Sequence, residues 1–91
     1  MRKYKPSHRP DYRYILLQNE DKLDVEKYLL EFFGINGFGK LEFRPIDKKG
    51  NQELIRVERG MAQETAGALL ISKKRIKIGK ISGTILKIRK N

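Results

Sequence analysis

Ninety-one residues allow one domain, and a hydrophobic fraction of 38% supplies one small core rather than two. There is no cysteine and a single histidine, His8, which excludes a disulfide scaffold and any thiolate metal site. The formal charge of +10 draws polyanions. No apolar run reaches the roughly 18–20 residues that span a bilayer, and the basic N-terminus lacks the apolar stretch of a signal peptide, so the cytoplasm is the expected location.

Residues 1–11, MRKYKPSHRPD, combine two prolines with charge and read as an irregular basic arm. One α/β domain over 12–91 is expected to follow. Residues 12–18, YRYILLQ, read as a strand apolar on both faces, Tyr14 and Leu16 on one and Ile15 and Leu17 on the other, which suits an interior position. Asp21 is the candidate N-cap of a helix whose stripe is Val25, Leu29, Phe32 and Phe33, with Gly34 placed to end it. Gly37, Phe38 and Gly39 read as a loop, and 41–47, LEFRPID, as a strand with Leu41 and Phe43 alternating.

Lys48-Lys49-Gly50-Asn51 is a hairpin turn, and ELIRVER returns with Ile55 and Val57 on one face. Residues 61–72 read as a second helix with Ala62, Ala66, Leu69 and Leu70 inward. Next, KKRIKIGK (73–80) is a basic connector or short edge strand. The last strand is SGTILKIRK (82–90), with Leu86 and Ile88 inward and Lys87 and Arg89 outward. The order βαββαβ predicts an α+β, ferredoxin-like or RRM-like sandwich with a four-stranded antiparallel sheet. In it the first and last strands are expected side by side in the sheet centre.

Charge is concentrated at the two ends. Residues 1–14 carry five basic groups and one acid, and residues 73–91 carry eight basic groups and none, while the segment between has eight basic and ten acidic groups. If the first and last strands are neighbours, the ends form one basic surface, which suits phosphates. The candidate RNA-binding residues are therefore Lys3, Lys5, His8, Arg9 and Arg13 at one end, and Lys73, Lys74, Arg75, Lys77, Lys80, Lys87 and Arg89 at the other. No grouping of nucleophile, base or metal ligands is visible: the acids of the first helix are spaced as a solvated face. No catalytic residue and no protein-bound metal or cofactor is expected. GFGKLEF is similar to the RNA-stacking motif of RRM domains, but Lys40 stands where an aromatic is wanted, and the segment falls on the second strand rather than the third. Phe38 is read instead as a loop or interface residue.

Taken in order, Arg13-Tyr14-Ile15, FGKLEFRPID, Leu54-Ile55-Arg56-Val57 with Arg59, Ala68-Leu69 and Ile81-Ser82-Gly83-Thr84 resemble protein component 2 of archaeal ribonuclease P and its eukaryotic counterpart, over about residues 9–90. The chain stops soon after SGTILKIRK, short of an extension present in some members. The resemblance implies a non-catalytic subunit that supports a catalytic RNA, which removes the 5′ leader of precursor tRNA with Mg2+ bound at the RNA active site. It also implies a TIM-barrel-like protein partner in a heterotetramer with two copies of each, precursor tRNA as an indirect partner, and an N-terminal arm directed at the RNA. Tyr14, Ile35, Phe38 and Ile85 are the candidate contacts to that protein. A ribosomal-type or RNA-chaperone module acting without a protein partner is the competing reading.

Overall fold

The computed structural model describes residues 11–83. Its elements run β1 (Tyr12–Asn19), α1 (Val25–Leu41), β2 (Arg44–Lys49), β3 (Gln52–Glu58), a 3-10 turn (Arg59–Met61), α2 (Ala62–Leu70) and β4 (Ile76–Ser82). The βαββαβ order and the four-stranded antiparallel sheet are those of the α+β ferredoxin-like fold. The strand order is β2-β3-β1-β4. The first and last strands are indeed neighbours, but β1 and β3 occupy the centre and β4 lies at an edge, which corrects the expected central pair.

Alternation along β1 sets the layers. Ile15 and Leu17 are fully buried, and Ile55 and Val57 of β3 join them. With Val25, Leu29 and Leu41 of α1 and Ala62, Ala68 and Leu69 of α2, they form the core. Both helices thus cover the same face of the sheet. Asn19 ends β1 on this face and is buried. Its side chain accepts from Leu23 N–H (2.9 Å) and donates to Leu23 O and to Glu53 Oε2 (2.8 Å each), so the turn into α1 is satisfied without water. Tyr28 on α1 donates to Ala68 O on α2 at 2.6 Å and so joins the helices.

Local capping departs from the sequence reading. Asp24, not Asp21, caps α1 by accepting from Lys27 N–H, because Asp21 is committed to Arg75. Gly34 has φ 77° and ψ 172°, a conformation open in practice only to glycine, and it interrupts α1. Helix resumes beyond it, so Gly37, Phe38 and Gly39 are helical rather than a loop, and Leu41 closes the helix instead of opening β2. Phe38 packs on the core and lies 5.8 Å from the Phe43 ring, which makes it a packing residue of α1. In α2 the inward positions are Ala62, Thr65, Ala68 and Leu69, while Leu70 is exposed. Thr65 satisfies its hydroxyl on Met61 O at 2.7 Å, which lets a polar residue take the place expected of Ala66.

The last described strand starts six residues earlier than expected. Ile76–Ser82 pairs with β1, so the edge-strand reading of the basic segment holds for 76–80 and the connector reading does not. The register shifts between Leu16 and Leu17, opposite Gly79. Leu17 faces Ile78, Leu16 faces Lys80 and Ile15 faces Ile81, so the extra residue turns Ile76, Ile78 and Ile81 to the helices and Lys77 and Lys80 to the other side. A Cβ at Gly79 would lie 3.3 Å from Leu16 O, so the bulge sits close against β1. The expected inward Leu86 and Ile88 lie outside the described residues.

Candidate nucleic-acid interface

The face of the sheet away from the helices is set by the even positions of β1 and the residues paired with them. Three rows run across it. Arg44, Arg56, Tyr14 and Ser82 are successive cross-strand partners; Asp47, Leu54, Leu16 and Lys80 form the next row; Lys49, Gln52, Gln18 and Lys77 form the third. Beyond the first row stand Tyr12 and Glu58. The face therefore gathers five cations (Arg44, Lys49, Arg56, Lys77, Lys80) against three acids (Asp47, Glu58 and Glu42, which reaches Tyr12 from beside β2), with two tyrosines on an inner strand. None of the ion pairs among the described residues engages Arg44, Lys77 or Lys80.

Tyr12 and Arg56 form a tight unit. The guanidinium Cζ lies 3.8 Å from the Tyr12 ring centroid, within the range of a cation–π contact. Arg56 Nη2 donates to Glu42 O at 3.3 Å, and the Tyr12 hydroxyl donates to Glu42 Oε1 at 3.1 Å. Partial burial of the hydroxyl, and then its hydrogen bond to the Glu42 carboxylate, push the Tyr12 pKa above the usual tyrosine value. Arg56 Nε is buried and has no hydrogen-bond partner.

The predicted basic residues fall into three groups. Lys73, Lys74, Lys77 and Lys80 are exposed, the last two on the open face of β4. Arg75 turns back on the protein. Its N–H donates to Asp21 Oδ2 (2.8 Å), its Nε and Nη2 to Asp21 Oδ1, and its Nη1 lies 3.5 Å from Glu20 Oε1. The backbone N–H of Arg75, with the guanidinium second, holds the Asp21 carboxyl below the usual carboxylate range. Arg13 belongs to the helix-side register, donates to Tyr12 O at 3.0 Å, and lies against Gly83. Lys3, Lys5, His8, Arg9, Lys87 and Arg89 lie outside the described residues, as does Ile85.

Of the expected protein contacts, Ile35 is 83% exposed on α1 and Tyr14 is half-buried on the open sheet face. They sit on opposite layers and do not form one patch. Arg44, Lys49, Arg56 and Tyr12 are the members of the cationic face that sequence reasoning missed. The alternation Tyr12, Tyr14, Leu16, Gln18 signals half of it, but the cations join it only through strand order and register. Among the described residues there is no group of three or more His, Cys, Asp or Glu side chains placed to hold a metal ion, and no helix is long and apolar enough to cross a membrane.

Adjacent antiparallel pairing also fixes where the described chain begins and ends. Tyr14 is opposite Ser82 and Arg13 touches Gly83, so Asp11 and Gly83 lie at one end of the sheet. Residues 1–10 add four basic and no acidic side chains from that end, and residues 84–91 add three and none. In comparisons with known proteins, no family model and no curated sequence matches this chain.

Proposed function

We propose that this protein is a non-catalytic, RNA-binding subunit of ribonuclease P that stabilises the catalytic RNA during removal of the 5′ leader from precursor tRNA. The observation that carries the RNA-binding part is the pairing of β1 with β4. It starts both basic terminal segments at one end of a sheet whose open face already holds Arg44, Arg56, Lys77 and Lys80. Cations on one surface attract phosphates and release their counterions, which gives affinity with little sequence preference. The assignment to ribonuclease P rests on the ordered resemblance of Arg13-Tyr14-Ile15, Leu54 to Val57 and Ile81 to Thr84 to that family.

In this reading the RNA, with its Mg2+, performs the phosphodiester hydrolysis. The protein lowers the cost of folding a self-repelling polyanion, so its effect is greatest where Mg2+ is scarce. The TIM-barrel-like partner, the heterotetramer and a cytoplasmic location are part of the same proposal.

The test is reconstitution. Adding the full chain with its barrel partner to the RNA should raise precursor-tRNA cleavage at low Mg2+, with a smaller gain at high Mg2+. Equal cleavage with and without the chain at every Mg2+ level rejects the reading. Co-sedimentation of the chain with ribosomes, and with no ribonuclease P RNA, favours a ribosomal-type module instead.

A further inference from the structure

Resting on the RNA-binding reading above, we propose that the open face carries a stacking subsite for unpaired nucleotides of single-stranded RNA, built on Tyr14 and on the Arg56 guanidinium held over Tyr12. Tyr14 stands on an inner strand between Arg56 on β3 and the small Ser82 on β4. Both described helices pack on the other face, with Ile15, Leu17, Ile55 and Val57, while on this face Leu54 is buried and Tyr14 is half-buried. Neighbouring strands are about 4.8 Å apart, so the row from Arg44 to Ser82 spans roughly 14 Å, the length of two or three nucleotides.

Along that span the two arginines stand side by side, followed by the Tyr14 ring. Arg44 occupies one end of the row, and Lys80 and Lys77 follow in the next rows on the opposite edge. Phosphates have cations on both flanks while the middle offers π surface. A ring and a guanidinium plane accept any base, because every base has a π face. Duplex RNA cannot use them: its bases are already stacked and its major groove is too deep and narrow.

The Tyr12–Arg56 unit is suited to this use. Arg56 holds its guanidinium carbon 3.8 Å from the ring centroid, so a base arriving there meets the guanidinium before the ring. Arg56 is tethered by one 3.3 Å hydrogen bond to a backbone carbonyl, and its Nε has no acceptor. Drawing the guanidinium toward a nucleotide gives that donor a partner, so the move gains a hydrogen bond that the free protein lacks.

The experiment titrates the full chain with a single-stranded RNA and with a blunt-ended RNA duplex of the same length, following anisotropy of a labelled RNA and intrinsic tyrosine fluorescence, which no tryptophan obscures. The single strand should bind more tightly and quench the tyrosines. Tyr14→Ala should weaken single-strand binding about 5- to 150-fold, the range for loss of one base–aromatic stack, and leave binding of the blunt-ended duplex nearly unchanged. Tyr14→Phe should behave as the parent, and Arg56→Lys, which keeps charge but not the plane, should weaken only the single strand. If Tyr14→Ala does not fold, Tyr14→Leu supplies the same comparison with apolar bulk retained. Equal loss on both RNAs, or no loss in either Tyr14 variant, overturns the stacking subsite and leaves phosphate binding standing. Failure of the parent chain to bind either RNA removes the RNA-binding reading itself.

Discussion

The two faces of the sheet are built from the same strands, one residue out of phase, and they obey different rules. Toward the helices, Ile15, Leu17, Ile55 and Val57 are excluded from water, and Asn19 is admitted only because every polar atom of its amide is bonded. On the open side the same strands present Tyr14 and Arg56, with Arg44 on β2 and Lys77 and Lys80 on β4. Burial of apolar area decides the first face, and its errors are costly in stability. Charge dominates the second apart from Leu54, which is buried there, and a substitution at its exposed cations is expected to change stability little.

The hardest blow to that contrast comes from the inner face. Leu17→Ala should cost about 2–5 kcal/mol, because the site is fully enclosed between β4 and the helices and closes only partly over the missing methyl groups. Urea unfolding measures this; a destabilisation below about 1 kcal/mol would mean that burial does not govern the helix-side face. On the open face, Lys77→Ala with Lys80→Ala should leave unfolding within about 0.5 kcal/mol of the parent. The same pair should flatten the dependence of log K on log salt for single-stranded RNA by about 0.7 for each phosphate that is no longer neutralised. An unchanged slope would separate β4 from the RNA surface.

The smallest expected effect lies within the basic segment itself, where Arg75 is paired with Asp21 at the surface and Lys77 faces the open side of the sheet. Asp21 titrates below the usual carboxylate range because it accepts from Arg75, so its contribution to stability is full above the ordinary aspartate pKa of about 3.9 and is lost as pH falls through its lower folded value. Asp21→Asn should therefore be less stable than the parent near neutrality, and the gap should close in strong acid. A gap independent of pH would show that the Asp21–Arg75 contact adds nothing through charge.

Much of this architecture is legible in the sequence. The double-sided apolarity of β1, the stripe Val25, Leu29 and Phe33 (its expected member Phe32 is exposed) and the Lys-Lys-Gly-Asn turn carry the element order, because each depends on neighbours within a few positions. Gly34 is a natural helix end by residue type and does adopt positive φ, but no local rule says that helix resumes beyond it through two further glycines. Asp21 and Asp24 are equally good caps by residue type; the choice is made by Arg75, far along the chain. The last described strand opens at Ile76 rather than at 82 because the bulge at Gly79 lets 76–80 pair with β1, and glycine alone does not announce which residue is skipped. The candidate surface is legible only in part for the same reason. Lys77 and Lys80 are visible as a charge run, whereas Arg44, Arg56 and Tyr14 share a row only once the order β2-β3-β1-β4 is known.

The meeting of Asp11 and Gly83 at one end of the sheet has a consequence for avidity. If the protein binds RNA as proposed, two cationic segments that start from one end of the sheet do not act as independent ligands. In the RNA-binding reading, engagement of either segment then presents the other to the same stretch of partner, which raises its effective concentration. Modest individual affinities then multiply, and moving one segment to the far end of the sheet would forfeit that gain even with every charge retained.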